Sequence, residues 1–263
     1  MIPARWGSTR FPGKPLVPIA GRTLLERVID LARRATLGLA DVEVVVATDD
    51  ERIADHARAR GTAAVMTDRG LASGSSRALA AALAMERPPA LVVNLQGDAP
   101  FLPPHAASRL LAALRTGASV ATPVVQLSWP ALDALRVHKQ SAPFSGTTCI
   151  RAASGDAQWF SKAIIPAIRD EALHRRAMDL SPVFRHLGVY GYTLDALRRF
   201  EAAAPSEQEQ LEGLEQLRFL AIGVPVRTVV VEEPIISMSG IDTPADVELA
   251  ERLIAAHGDP HGT

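Results

Sequence analysis

Val42 to Met66, VEVVVATDDERIADHARARGTAAVM, carries the clearest structural pattern in the chain. Val42 to Ala47 is a β-branched apolar run of strand length, Glu51 to Arg60 has helical spacing, and Ala63 to Met66 is a second short strand. Strand, helix, strand is the unit of a parallel sheet covered by helices. Outward from it the alternation continues: a helix over Ser75 to Glu86, a strand over Leu91 to Leu95, a helix opened by Pro103 and Pro104 that runs to Arg115, and a strand over Ser119 to Val125. After a weakly periodic region come a strand over Leu187 to Thr193 and helices near Leu194 to Ala203 and Gln208 to Ala221. A strand over Val226 to Val231 and a closing helix over Pro244 to Ala256 complete the pattern. The expected class is α/β, with a mostly parallel central sheet in a single domain over residues 1–263. Residues 128–182, with scattered Pro, Gly and Ser, are expected to form a small irregular excursion inserted near the binding site or a subunit interface. Gly258 to Thr263 read as a frayed tail. Met1-Ile2 alone stands for the strand that should precede a phosphate loop, so upstream residues are expected.

Composition narrows the function classes. With 48% hydrophobic and 22% charged residues the chain is an ordinary globular protein. Its 28 basic and 29 acidic side chains leave a net charge of -1, which provides no general field for a nucleic-acid backbone. Anion binding must therefore be local. A single cysteine, Cys149, excludes an internal disulfide and reads as a small buried hydrophobe in preference to a thiol nucleophile. No apolar run approaches the roughly 20 residues of a membrane span, and the start lacks a secretory pattern, so a cytoplasmic protein with no membrane partner is expected.

The local anion site is at the start. Pro3-Ala4-Arg5-Trp6-Gly7-Ser8-Thr9-Arg10-Phe11-Pro12-Gly13-Lys14-Pro15 packs three cations, two hydroxyls and two glycines into one loop. Glycines let backbone N–H groups approach phosphate oxygens, and Arg5, Arg10 and Lys14 neutralise charge that repels a nucleophile. The spacing is not that of a Walker A loop. Asp98 ends an apolar strand where α/β folds place ligands, and Asp242 precedes a helix. Two hard carboxylates at one triphosphate suit Mg²⁺. Asp242 has a second reading as a helix cap before Thr243-Pro244. Gly74 and Arg77 can read a base through backbone groups and one charged side chain, while Ser75 can equally cap the next helix.

These segments resemble those of the 3-deoxy-manno-octulosonate (Kdo) cytidylyltransferases. The resemblance includes the opening loop, Val46-Ala47-Thr48-Asp49-Asp50, Ser73-Gly74-Ser75-Ser76-Arg77 and Asn94-Leu95-Gln96-Gly97-Asp98. Further on it takes in Arg185-His186-Leu187-Gly188-Val189-Tyr190-Gly191-Tyr192, Leu214-Glu215-Gln216-Leu217-Arg218 and Gly240-Ile241-Asp242-Thr243-Pro244. It implies a Rossmann-like nucleotidyltransferase fold, a homodimer, and transfer of CMP from CTP to a small acidic acceptor. Pro3, Ala4, Arg5, Gly7, Ser8, Thr9, Arg10, Lys14, Thr48, Asp49, Ser73, Gly74, Arg77, Gln96 and Gly97 would then bind the nucleotide, with Arg10, Lys14 and Asp98 catalytic. Asp98 and Asp242 would hold Mg²⁺. Lys162, His186, Tyr190, Glu215 and Gln216 would meet the acceptor, although His186 and Tyr190 also read as core packing, and Glu215 and Gln216 as a solvated helix face.

The acceptor side departs from the family pattern. Leu71 stands for a His, Ser75-Ser76 for Thr-Glu, Ala99 for a Glu, and Lys162 for an Arg, which removes a bidentate carboxylate fork. A family lysine is replaced within Thr147-Thr148-Cys149. A related branch makes CMP-5′-phosphonoformate in phosphonate antibiotic synthesis. Both acceptors, a Kdo-like 2-keto-3-deoxy sugar acid and phosphonoformate, remain open. In either case an acceptor oxygen would attack the α-phosphorus of CTP in line and expel pyrophosphate. A nucleotide-sugar glycosyltransferase and a catalytically inactive nucleotide-binding protein are the rival readings.

Overall fold

The computed structural model describes residues 1–7, 11–71, 73–236, 238 and 240–260. A short buried strand, β1 (Ile2–Ala4), is followed by a hairpin of β2 (Pro18–Ile19) and β3 (Arg22–Thr23) and by helix α1 (Leu24–Ala35). Thr23 caps α1 in a reciprocal box with Glu26, and the helix buries Leu24, Leu25, Val28, Ile29 and Leu31. Residues 42–66 fold as β4 (Val45–Thr48), α2 (Glu51–Ala59) and β5 (Ala63–Met66), with the Asp50 side chain capping α2 by accepting from Arg52 N. Then come α3 (Gly74–Ala84), β6 (Leu91–Asn94), α4 (Pro104–Arg115) and β7 (Val120–Ser128).

Residues 128–182 differ from the sequence reading. They form α5 (Trp129–Ser141), β8 (Thr147–Arg151), β9 (Ala157–Ser161), α6 (Glu171–Ala177) and β10 (Leu180–His186), and the three strands extend the main sheet. Periodicity failed there for physical reasons. Helix α6 buries no residue, so it carries no apolar stripe, and ion pairs from Arg136 of α5 to Glu171 hold it. Register shifts between Ile150 and Arg151 and between Leu180 and Phe184 break the strand alternation.

The chain closes with β11 (Tyr190–Thr193), α7 (Leu194–Ala202), α8 (Glu207–Glu212), α9 (Gln216–Ala221), β12 (Val226–Val230) and α10 (Pro244–His257). The one helix expected from Gln208 to Ala221 is two, because Gly213 takes the left-handed conformation that ends α8.

Strands β1, β4 and β5 pair in parallel. Met1 continues the ladder to β6, its N donating to Val93 O at 2.8 Å and its O accepting from Leu95 N at 3.0 Å. Strand β11 lies antiparallel between β6 and β7, and β12 runs parallel to β7. Six strands therefore share the direction of a doubly wound sheet. The far half of β7 pairs antiparallel with β10, and β8 and β9 follow. Alternate residues serve opposite faces: Leu91, Val93 and Leu95 pack with the core of α1 and α4, and Val92 packs against Ala78 and Ala82 of α3. Among the described residues, no helix is long and apolar enough to cross a membrane.

Candidate active site

Three segments meet at the carboxyl ends of β1, β4 and β6. A Cβ on Gly97 would sit 2.5 Å from Pro3 O, and one on Gly74 would sit 2.8 Å from Gln96 Oε1. Glycine at both positions lets the loop after β1, the α3 turn and the strand end after β6 touch. Gly13, at φ 73°, donates its N–H to Trp6 O at 3.1 Å, and a side chain there would strike the Trp6 ring. Trp6 N donates to Asp49 Oδ1 at 3.3 Å, and Arg52 stacks 3.3 Å above the indole centroid. The loop is thus folded back on itself, with exposed Arg5 and the Lys14 ammonium at its two ends. Ser8, Thr9 and Arg10 lie outside the described residues.

Lys14 Nζ donates to Asp98 Oδ2 at 2.9 Å and to Asp242 Oδ1 at 3.1 Å, so the two carboxylates expected to share a metal already share one cation. Ile241 N donates to Asp98 O at 2.9 Å, which draws the loop before α10 onto the end of β6. Thr243, and not Asp242, caps α10 in a box with Asp246. The Asp242 carboxylate is turned to Lys14 and takes no part in the cap, which removes its cap reading.

Thr48 is fully buried, and its hydroxyl accepts from Asp50 N at 3.3 Å. Arg77 is buried beneath Asp49, with Nη2 3.4 Å from Asp49 Oδ2 and Nη1 donating to Thr67. Burial lowers the Arg77 pKa, partly offset by Asp49. Its guanidinium is committed to holding Asp49, which in turn holds Trp6. Ser73, not Ser75, caps α3 by accepting from Ser76 N at 3.0 Å. Ser75 instead donates to Glu215 Oε2 at 3.2 Å and joins the Gly74 turn to the start of α9.

The residues expected to meet the acceptor lie on or beside four elements. Lys162 follows β9, and burial lowers its pKa against the opposing influence of Glu212. Glu212 accepts from Lys162 N and Ser161 Oγ, each at 2.7 Å. His186 ends β10 between Phe160 and Tyr190, in a ring ladder that continues through Tyr192, Phe219 and Phe200. Burial, with Lys162 nearby, pushes His186 down to about 3, so the imidazole is neutral. Burial also raises the Tyr190 hydroxyl and the Glu215 carboxyl. Gln216, the first residue of α9, is buried, with Nε2 sealed from solvent and without a hydrogen-bond partner among the described residues. Gln216 therefore faces inward, against the solvated-face reading, whereas Glu215 stays exposed at the start of α9 while its carboxylate accepts from Ser75.

Sequence reasoning missed Ser75 as a link, Glu212 and Thr122. Thr122 was legible only as a polar residue inside an apolar strand. Cys149 is fully buried and its thiol is pushed up to about 12, in keeping with the packing reading. A mostly apolar cavity of about 490 Å³ beneath Met1, lined by Val44, Val45, Leu91 and Val93, lies at the amino ends of the same strands, away from these groups.

Parallel strands that end at a glycine-and-cation loop, with two carboxylates gathered opposite it, are the construction of a nucleotidyltransferase. A family model described as cytidylyltransferase matches residues 1–230, and the chain belongs to that family. It is 41% identical over 261 residues to a 3-deoxy-manno-octulosonate cytidylyltransferase of Maricaulis maris, covering 98% of this chain and 97% of the relative. An enzyme of the same name from Anaeromyxobacter dehalogenans is 42% identical over 258 residues, covering 97% of each chain. A solved CMP:2-keto-3-deoxy-manno-octonic acid synthetase complexed with CTP superposes with a TM-score of 0.80 at 33% identity, covering 97% of each chain. The 4-diphosphocytidyl-2C-methyl-D-erythritol synthase of Anaerococcus prevotii, at 12% identity and a TM-score of 0.58, shares the fold.

Proposed function

We propose that the protein transfers CMP from CTP to a Kdo-like 2-keto-3-deoxy sugar acid and releases pyrophosphate. The observation that carries this reading is the single ammonium of Lys14 shared by Asp98 and Asp242 beside the Gly97–Pro3 contact. Among the described residues no cluster of three metal-ligating side chains occurs. Two carboxylates still suit Mg²⁺, which keeps several waters and takes its other ligands from phosphates. Bound there, Mg²⁺ would supply charge neutralisation at the α-phosphate and the leaving pyrophosphate. Arg5, Arg10 and Lys14 would hold the triphosphate, with Lys14 exchanging a carboxylate partner for phosphate oxygens. Glu215, tied through Ser75 to the Gly74 turn, would set the acceptor against the nucleotide, so that position and electrostatics lower the barrier without a covalent intermediate.

The acceptor follows from hydrogen-bond chemistry. A neutral His186 and the Glu215 side chain offer acceptor atoms, which a polyhydroxy acid can satisfy with its hydroxyls. Phosphonoformate, a phosphonate joined to a carboxylate, has no hydroxyl apart from its acid groups and would set anion against acceptor. Lys162 remains to meet the sugar-acid carboxylate. The homodimer implied by the resemblance belongs to the same proposal, and a monomeric mass in solution would count against it.

Supplying CTP, Mg²⁺ and a panel of Kdo, its amino analogue, sialic acids and phosphonoformate, then identifying the CMP conjugate by mass, tests the reading. CMP-Kdo or its amino analogue is expected. A conjugate of phosphonoformate alone, or of sialic acid alone, would contradict it.

A further inference from the structure

Thr122 is the third residue of β7 and is fully buried. Its Oγ1 is 2.7 Å from Val189 O and 2.8 Å from His186 Nε2. A carbonyl oxygen only accepts, so the single hydroxyl proton of Thr122 goes to Val189. The lone pairs of Thr122 then accept from a protonated Nε2. The opposite arrangement, with Nε2 bare and Thr122 donating to it, would take the hydroxyl proton away from Val189 O in a buried place, where a lost bond is costly. A neutral imidazole carries one proton, so Nδ1 is bare. Nδ1 has no hydrogen-bond partner among the described residues, and it is not one of the polar atoms sealed away without a partner. Phe160 and Tyr190 fix the plane of the ring from its two sides, at centroid distances of 5.1 and 5.4 Å.

We propose that Thr122 is a positioning residue: it fixes His186 as the Nε2–H tautomer, so that the Nδ1 lone pair accepts a hydrogen bond from a hydroxyl of the acceptor. The proposal rests on the acceptor reading given above and deepens it, because it makes a hydroxyl donor a requirement of the pocket. A fixed lone pair selects against an acid that lacks a hydroxyl and against one whose hydroxyl is methylated at the contact point. Neither Val189 nor Thr122 touches the substrate. The chain from Val189 O through Thr122 to Nε2 sets the edge of the ring that does.

The test is nitrogen NMR of protein labelled with ¹⁵N-histidine, with the His186 signals assigned by their loss in His186→Asn. The wild type is expected to show a protonated Nε2 and a bare Nδ1. Thr122→Val, which keeps the β-branched shape and removes the hydroxyl, is expected to lose that preference. It should raise the KM for the sugar acid roughly tenfold, the worth of one neutral hydrogen bond, with CTP affinity unchanged. Thr122→Ser should restore both. A wild-type spectrum with the proton on Nδ1 overturns the proposal whether or not any variant folds, as does a Thr122→Val protein with unchanged spectrum and KM. If the wild type has the expected tautomer yet converts no sugar acid, the functional reading fails while the tautomer assignment stands.

Discussion

Asp98 and Asp242 come from positions 144 residues apart in sequence and are held to a common point by Lys14. Neither carboxylate alone announces its role: on the residues alone a helix cap was the better account of Asp242, and the structure gives that task to Thr243. What composition and spacing did make legible was the loop that carries Lys14, because glycines and cations at that density have few other uses. What stayed hidden were residues whose role depends on a partner far along the chain, such as Ser75 with Glu215 and Thr122 with His186. Asp98→Asn or Asp242→Asn keeps the shape of the side chain and removes the charge. Each is expected to lower kcat roughly 10²- to 10⁴-fold, the loss of several kcal/mol of charge stabilisation. Steady-state rates at saturating CTP check this, and a loss under threefold would remove the carboxylate pair from the chemistry.

Among elements, the strand and helix pairs of the first half were readable because each buries one continuous apolar face, as α1 does with Leu25, Val28 and Ile29. The region from α5 to β10 was not, because α6 is held by charge and the strands are interrupted by register shifts. Helix α10 shows how an element end serves the site. Asp246 Oδ2 accepts from Asp242 N at 2.9 Å and from Thr243 N at 2.8 Å, so the cap and the candidate metal ligand share one anchor. Thr243→Ala should lower stability by about 1 kcal/mol, the usual worth of an N-cap. It should also weaken Mg²⁺ dependence more than CTP affinity, because Asp242 loses part of its support. Denaturant unfolding and Mg²⁺ titration of the rate measure the two effects, and a stability loss with unchanged Mg²⁺ dependence would separate cap from site.

Across the molecule, the candidate site lies where two halves of the sheet meet, the proposed nucleotide groups at β1, β4 and β6 and the proposed acceptor groups at β9, β10, β11 and α9. Burying neutral His186 at that junction has a consequence for stability. Its pKa is about 3 in the folded protein against about 6.5 in an unfolded chain, so between those values only the unfolded chain binds the proton. Stability should therefore fall as pH drops from about 6.5 towards 3, by up to about 1.4 kcal/mol per pH unit from this group. Asp50, Asp133, Asp156 and Glu171, whose pKa values are lowered mainly by hydrogen bonds from arginines, add a second loss at lower pH, for Glu171 down to about 2. Glu215, raised by burial, acts in the opposite sense. Unfolding free energies at pH 5 and pH 7 should differ clearly in the wild type and less in His186→Asn. Equal differences in the two proteins would place the acid sensitivity elsewhere.

Incubating the protein with CTP, Mg²⁺ and Kdo while following pyrophosphate and the CMP conjugate together shows whether it transfers a cytidylyl group. One pyrophosphate per CMP-Kdo, dependent on Mg²⁺ and on Asp98, is the expected result. CTP binding without pyrophosphate release in the presence of any acidic acceptor would contradict it and leave a nucleotide-binding protein in place of an enzyme.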